Sequence, residues 1–401
     1  MYKWGISTSD WHHGAKDANE MMMELYQENG FFDILNMGCS EESFMGVVLA
    51  GDYFEKRLAL NEQTSILAVN VFLEIYNLCK EYNKYFIVLR GTYSHDFSQL
   101  DSFLGLELQY DKFKLFNTVT EFEMDGHTCL AIPEEYMEDP KEFYRPFFSK
   151  KYDIIFGHGT INFAAHVHNS SERPMAKAPN FNENVFVKIA KLTLFGHVHQ
   201  QVSYKTVHYN SSFSRLCFGE EDPKGFIVFH STNKKMEIEH IENEYAPIYD
   251  TVFLSEINRN KNFLDDSIKM IQVIDKYYNK LVKEKTRYEG HRINLKVKID
   301  KEYGITYYES MEIVKNHFLN KPCIVIEGGS LRLTSSDDHY NDEDNSEEDL
   351  DKTNDKYTFL LTEDSLVSKI KNFVIIKHGV IDASMTDDVI LEALSKSERV
   401  D

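Results

Sequence analysis

Aspartate and histidine recur in five short patches between Asp10 and His199: Asp10-Trp11-His12, Gly51-Asp52, Ser94-His95-Asp96, Gly157-His158 and Gly196-His197-Val198-His199. Carboxylate and imidazole together suit manganese, iron or zinc, whereas a thiolate set would point elsewhere. Two divalent cations roughly 3.5–4 Å apart can clamp the attacking and leaving oxygens of a phosphate displacement and lower the pKa of a bound water. A carboxylate is the natural bridge between two such ions, because each of its oxygens can serve one of them. These residue types therefore suit metal-assisted hydrolysis of a phosphate ester.

The elements that must bring the patches together are short apolar runs. Ile6 precedes the first patch, Val47-Val48-Leu49-Ala50 the second and Tyr85-Phe86-Ile87-Val88-Leu89 the third. Ile154-Ile155-Phe156 and Leu192-Thr193-Leu194-Phe195 lead into the last two. Such runs read as buried parallel strands, and ligands of an open parallel sheet bind outside the carboxyl ends of its strands. Five strand ends are thus expected to face one crevice. No single patch is informative in a chain with 16 histidines. His166-Val167-His168 repeats a His-Val-His triplet without the preceding apolar run or the glycine, and reads as an ordinary surface segment. Order, spacing and strand context together carry the signal.

The rest of the chain alternates strand and helix. Residues 61–82 predict a helix with Ile66, Val69, Phe72, Leu73 and Tyr76 on its packed face. Leu100, Phe103, Leu104 and Leu106 follow at near-helical spacing. Beyond residue 245 the pattern predicts a helix over 255–285, an alternating half-buried strand over 292–299, a helix over 307–319 and a strand at 323–326. Ten of the 22 residues from Ser335 to Lys356 are Asp or Glu, which suits a disordered or exposed loop. Apolar positions return at Leu366, Ile370 and Phe373, and again at Val389, Ile390, Ala393 and Leu394, a pattern suited to docking on a partner helix.

Composition narrows the class. At 401 residues the chain can build more than one core. Its five cysteines form neither a CxxC pair nor a disulfide framework. No apolar stretch nears the ~20 residues of a membrane span, and the first strand begins too early to leave room for a signal peptide. These features predict a soluble cytoplasmic protein. A net charge of −21 is unusual for a protein that grips DNA alone. Two divalent ions add about +4 locally, and Lys56-Arg57, Lys150-Lys151 and the trio Lys283, Lys285 and Arg287 are candidate phosphate contacts.

The order of the five patches resembles that of the calcineurin-like metallophosphoesterases. A narrower likeness, to the SbcD-type nuclease subunits of double-strand-break repair, rests on Tyr209-Asn210-Ser211-Ser212, Arg215, Phe218-Gly219-Glu220 and Lys224-Gly225-Phe226. It covers about the first 240 residues and is looser beyond. The resemblance implies an α/β fold, a four-layer β-sandwich flanked by helices over residues 1–245. A small α+β capping domain over 246–334 would help to place DNA, followed by an acidic flexible linker (335–356) and a partner-binding segment (357–401). The resemblance assigns one metal to Asp10, His12, Asp52 and His199, and a second to Asp52 as bridge with His158 and His197. His95 would act on the phosphate and leaving group, with Asp96 orienting it. The neighbourhood of Leu100 to Leu106 would form a homodimer interface, and an SbcC-type coiled-coil ATPase would supply most of the grip on DNA.

Two positions depart from that pattern. Counting back from His95-Asp96, Ser94 stands where the family has an asparagine ligand for the second metal, and a hydroxyl is the shorter and weaker donor. Glu55 stands where many relatives have Asp or His, which suits a place beside the metals. The resulting expectation is a manganese-dependent DNA nuclease with two Mn2+ ions, an exonuclease on double-strand ends and an endonuclease on single strands. The alternatives are a small-molecule phosphodiesterase or phosphatase of the same fold and, because of Ser94, a catalytically weak DNA-end scaffold.

Overall fold

Strands that are apolar on both faces need a cover on each side, and the chain supplies it with helices and a second sheet. The computed structural model describes residues 2–59, 62–96, 98–164, 179–232, 235–257, 267–299 and 305–328. The acidic stretch 335–356, the segment 357–401 and the His166-Val167-His168 triplet lie outside these residues.

In chain order, β1 (Lys3–Thr8), α1 (Ala18–Leu25), α2 (Phe31–Ser40), β2 (Phe44–Ala50), α3 (Gln63–Glu81), β3 (Tyr85–Leu89), α4 (Tyr93–Asp96) and β4 (Phe113–Phe116) come first. Then follow β5 (Thr120–Met124), β6 (His127–Ile132), α5 (Pro140–Phe148), β7 (Tyr152–His158), the short pair β8 (Thr160–Ile161) and β9 (Asn180–Phe181), α6 (Glu183–Ile189) and β10 (Ala190–Gly196). Four strands complete the two main sheets: β11 (Ser203–Tyr204), β12 (Val207–Tyr209), β13 (Gly225–Ser231) and β14 (Met236–Glu242). One six-stranded sheet has the order β14-β13-β1-β2-β3-β4, the other β11-β12-β10-β7-β6-β5. Strands β1 to β4 run parallel, as do β12, β10, β7 and β6, while β5, β11, β13 and β14 pair antiparallel. The fold is mixed α/β.

Side-chain alternation assigns the layers. In β3, Ile87 and Leu89 share one core with Ile154, Phe156, Leu192 and Leu194 of the second sheet. Phe86 and Val88 point the other way, onto Phe31, Leu35, Val71, Phe72 and Ile75 of α2 and α3. Ile155 and Phe195 face outward from the second sheet and pack with Tyr144 of α5 and Phe186 of α6. Helices, sheet, sheet and helices therefore stack as layers around three cores.

Local expectations are met with some adjustments. The helix expected over 61–82 is α3; Phe72 and Tyr76 are buried as expected, together with Leu67, Ala68, Val71, Ile75 and Cys79, but Ile66 is 52% exposed. A helix buries a stripe roughly 100° wide, and tertiary packing centres that stripe so that Ile66 falls at its outer edge. Leu100 and Phe103 lie on a 3-10 segment, Leu100–Leu108, and join the chain's own core, with the Phe103 and Phe72 rings stacked at 3.8 Å. Leu108 is left at the surface.

Sheet membership changes after β14. The strands β15 (Ile248–Phe253), β16 (Ile293–Ile299) and β17 (Ile324–Gly328) form a separate three-stranded sheet, joined through α7 (Leu254–Ile257), α8 (Ser267–Lys285) and α9 (Ile305–Phe318). Its pairings are parallel, so this unit is α/β, where the sequence pattern suggests α+β. Parallel neighbours require a crossover, and the helices supply it. Leu295 and Val297 of β16 are buried with Met270, Ile274, Val314 and Phe318. Among the described residues no helix is long and apolar enough to cross a membrane.

The layering depends on the inter-sheet core. Phe156→Ala is expected to lower unfolding stability by about 3–5 kcal/mol, the usual cost of emptying a buried aromatic site. A shift in the urea midpoint equivalent to less than about 1 kcal/mol would mean that the two sheets do not pack through this ring.

Candidate metal centre

The sheet order brings the five patches to one place. Asp10 and His12 follow β1, Asp52 follows β2, and His95 and Asp96 follow β3, three adjacent parallel strands of one sheet. His158 ends β7, and His197 and His199 follow β10, its neighbour in the other sheet. Among the described residues, besides His12 with Glu55 and His95, two groups result, Asp10 with His12 and His199, and Asp52 with His158 and His197. They are linked directly, because the His197 backbone N–H donates to Asp10 Oδ1 at 2.9 Å and Oδ2 at 3.1 Å. Asp10, His12, Asp52, His158 and His199 are buried, and His197 is half-buried.

The local backbone is bent to aim these side chains. Asp10, His12, Asp52 and His197 have φ of 53°, 49°, 52° and 93°, a region that non-glycine residues seldom enter. Strain of this kind persists where surrounding structure enforces it, and four of the nine such residues among those described fall in these patches, which makes them a candidate functional centre. Gly51, itself at positive φ, precedes Asp52, and a Cβ there would collide with the His158 ring. A Cβ on Gly91 would overlap the Asp52 carboxylate.

Imidazole orientation argues for cations. His199 Nδ1 lies 2.6 Å from Glu220 Oε1, and His12 Nδ1 lies 2.8 Å from Glu55 Oε2. At His199 the Nδ1–Glu220 hydrogen bond favours the proton there and makes Nε2 the ligating atom, while His12 Nδ1 finds no hydrogen-bond partner among the described residues. Yet the two Nε2 atoms face each other at 3.1 Å. Two lone pairs at that distance repel unless a proton or a cation lies between them. Burial opposes ionisation of Glu220, but the hydrogen bond and charge of His199 outweigh it and hold the carboxyl down at about 2.

The second group repeats the logic. His158 Nδ1 donates to the Ala50 carbonyl at 2.8 Å, so Nε2 faces Asp52 Oδ2 at 3.2 Å. Burial would lower the His158 pKa, but the Asp52 carboxylate, with Asp10 and Glu134, raises it well above the ordinary value. Burial likewise pushes Asp52 up, and His158, with His95 and His12, brings it well below the usual carboxylate range. A divalent ion would take the place of the Nε2 proton between these two groups. The donor set, buried carboxylates and imidazoles with the rings of His158 and His199 oriented through Nδ1, fits divalent metal.

Two placements, those of Asp96 and Ser94, differ from expectation once the groups are together. The resemblance has Asp96 orienting His95, but the Asp96 oxygens accept the backbone N–H groups of Asp52 (3.0 Å), Tyr53 (2.9 Å), Phe54 (3.1 Å) and Gly91 (2.8 Å). It shapes the loop that carries Asp52. Burial and the charge of Asp52 push the Asp96 carboxyl up to about 6, which leaves it mostly ionised at neutral pH. His95 is turned instead by the Glu55 carbonyl, to which its Nδ1 bonds. The His95 and His12 rings lie 4.8 Å apart, centroid to centroid.

Ser94 is exposed on α4, and Thr92 is the hydroxyl residue that meets the second group. Thr92 donates its N–H to Asp52 Oδ1 at 2.5 Å, and its Oγ1 is 3.1 Å from Asp52 Oδ2 and 3.5 Å from His158 Nε2. Counting backward from His95 lands on α4, because the turn inserts residues between the strand end and the histidine. Glu134 stands in none of the five patches, yet it is buried, with Oε2 3.7 Å from His158 Nε2 and 3.6 Å from His197 Nδ1. It follows the run Leu130-Ala131-Ile132 of β6, the strand beside β7. The rule that picks out the five patches, an acidic residue just past a buried parallel strand, applies to it equally.

Neither a scan against protein-family models nor a search of curated proteins finds a match for this chain.

Two outcomes are expected. With its pKa raised, metal-free His158 carries an Nε2 proton at pH 7, so metal uptake releases about one proton per chain from it, and affinity falls as pH falls. Calorimetry of Mn2+ binding in buffers of different ionisation enthalpy measures this, and a heat independent of buffer would rule it out. Asp96→Ala strands four buried N–H groups and is expected to cost at least ~3 kcal/mol of stability, read from chemical unfolding of the metal-free protein. A neutral result would show that the Asp52 loop does not depend on that carboxylate.

Proposed function

We propose that this chain is a two-metal phosphodiesterase of the calcineurin-like metallophosphoesterase superfamily and, within it, a manganese-dependent DNA nuclease subunit of the SbcD type acting with a coiled-coil ATPase. The observation that carries the enzymatic reading is the meeting of two Asp/His groups at adjacent parallel strand ends, joined by the His197 N–H to Asp10 bond. Asp10, His12 and His199 would hold one ion, His158 and His197 the other, with Asp52 as the bridge. Bound there, a pair of divalent cations supplies Lewis acidity and a water of lowered pKa.

The chain's own groups do the remaining work. Thr92 and the Asp96-organised loop hold the Asp52 carboxylate in one orientation. Glu220 and the Ala50 carbonyl set the tautomers of His199 and His158, and Glu55 lies beside His12. His95 has Nδ1 engaged by the Glu55 carbonyl, so Nε2 is its working atom. From there it is placed to hydrogen-bond a phosphate oxygen and to pass a proton to the leaving oxygen.

Nucleic acid as substrate rests on the resemblance around Tyr209 to Phe226 and on the adjoining three-stranded unit. That unit is tied to the same region. The Tyr249 hydroxyl donates to the Leu216 carbonyl at 2.9 Å, Thr251 Oγ1 donates to Glu221 at 2.8 Å, and Lys296 lies over the Phe218 ring. Two cations suggested as phosphate contacts are engaged locally, Lys150 with Glu121 at 2.8 Å and Arg287 with Glu244 at 3.6 Å. This favours an ATPase partner as the main source of grip on DNA. The inert-scaffold alternative rests on Ser94, and it weakens with Ser94 at the surface.

The test is Mn2+-dependent cleavage of linear duplex DNA and of a single-stranded circle, with and without the ATPase, beside a chromogenic phosphodiester. Cleavage of DNA supports the nuclease. Turnover of the small diester alone would favour a small-molecule phosphodiesterase, and a chain that binds no Mn2+ would end both readings. His95→Ala is expected to keep its metal content and lose cleavage by ~10²–10⁴-fold. Near-normal turnover at saturating Mn2+ would remove His95 from the reaction.

A further inference from the structure

Resting on the two-metal reading, we infer that Glu134 is a direct ligand of the second metal, in the place where the sequence pattern points to Ser94. Asp52, His158 and His197 leave that ion short of the roughly six donors of an octahedral manganese site. A fourth charged donor stands beside them. Glu134 Oε2 lies 3.7 Å from His158 Nε2, 3.6 Å from His197 Nδ1 and 3.2 Å from Thr92 Oγ1. Two ligand atoms that each bond one cation at about 2.0–2.2 Å lie at comparable separations from one another.

The position is built. The Glu134 N–H donates to the Arg90 carbonyl at 3.2 Å, fastening the end of β6 to the end of β3 immediately before Gly91 and Thr92. The other oxygen, Oε1, accepts from the Tyr136 hydroxyl, which leaves Oε2 on the side of the histidines. Glu134 is only 2% exposed, so solvent does little to stabilise its charge. Its neighbours on that side are two imidazoles and a hydroxyl, with Asp52 beyond the hydroxyl, and a cation gives both carboxylates a partner. A carboxylate is also a stronger donor to Mn2+ than a neutral serine hydroxyl.

The experiment counts ions and leaves activity aside. Mn2+ is titrated into the full chain and into Glu134→Ala, Glu134→Gln, Ser94→Ala and Asp52→Ala, with calorimetry for stoichiometry and affinity. Electron paramagnetic resonance separates a spin-coupled pair of ions from an isolated one. The unaltered chain and Ser94→Ala are expected to bind two coupled ions alike. Glu134→Ala is expected to keep the first ion and weaken the second by more than ~100-fold, beyond the ~10–100-fold that loss of a supporting group costs. Should that variant fail to fold, Glu134→Gln carries the test: its amide keeps the shape without the charge, and the second ion must weaken while the first does not. Two coupled ions in Glu134→Ala at near-normal affinity, or a second ion lost in Ser94→Ala, would overturn the assignment. Fewer than two ions on the unaltered chain would sink the two-metal reading itself, and Asp52→Ala shows what loss of the bridge looks like.

Discussion

The centre depends on keeping Asp52 ionised in the interior. A buried carboxylate is tolerable only if positive charge or several hydrogen-bond donors stand around it. Here the Thr92 N–H and hydroxyl reach its oxygens, and the His158 imidazole lies 3.2 Å away. That arrangement needs the space that glycine leaves at positions 51 and 91, and a loop pulled into shape by the Asp96 carboxylate through four backbone N–H groups. Two acidic side chains thus divide the labour: Asp96 organises the peptide so that Asp52 can serve an ion. Their chemistry is the same, and the difference lies in what faces each oxygen.

The two-sheet architecture explains how the site can draw on such distant segments. Each parallel strand ends at the same edge of its sheet, so a residue just beyond a strand arrives at that edge whatever its distance in sequence. Packing the sheets face to face through Ile87, Leu89, Ile154, Phe156, Leu192 and Leu194 lays the two edges side by side. The His197 N–H to Asp10 bond and the Glu134 N–H to Arg90 bond then cross from one sheet to the other. A closely packed interior carries that alignment through to the side chains.

Beyond the strand ends, supporting groups decide which atoms are offered. Glu220 sets the His199 ring through Nδ1, and is itself held by the Leu216 N–H at 2.8 Å. The Lys224 ammonium bonds the His199 carbonyl at 2.5 Å. The stretch from Leu216 to Lys224 also carries Phe218 and Glu221, which meet the three-stranded unit. One segment therefore couples a candidate ligand histidine to the element beside it.

Much of this was legible in the order of residues. Apolar runs followed by Asp or His identified β1, β2, β3, β7 and β10 with their terminal residues, because a strand buried on both faces has few ways to be written. The alternation over 292–299 likewise yielded β16. What no residue order could decide was which oxygen or nitrogen faces which neighbour. Ser94 and Thr92 are both hydroxyl residues near His95, and only the turn at α4 leaves one exposed and sets the other against Asp52. Asp96 sits next to His95 in the chain, yet its carboxylate serves the peptide of another loop. Glu134 belongs to no motif, and joins the centre because β6 pairs with β7 and its N–H reaches across to Arg90. Periodicity reports which face of an element is buried; the partners on that face are chosen by tertiary packing, which acts between residues that the chain itself keeps far apart.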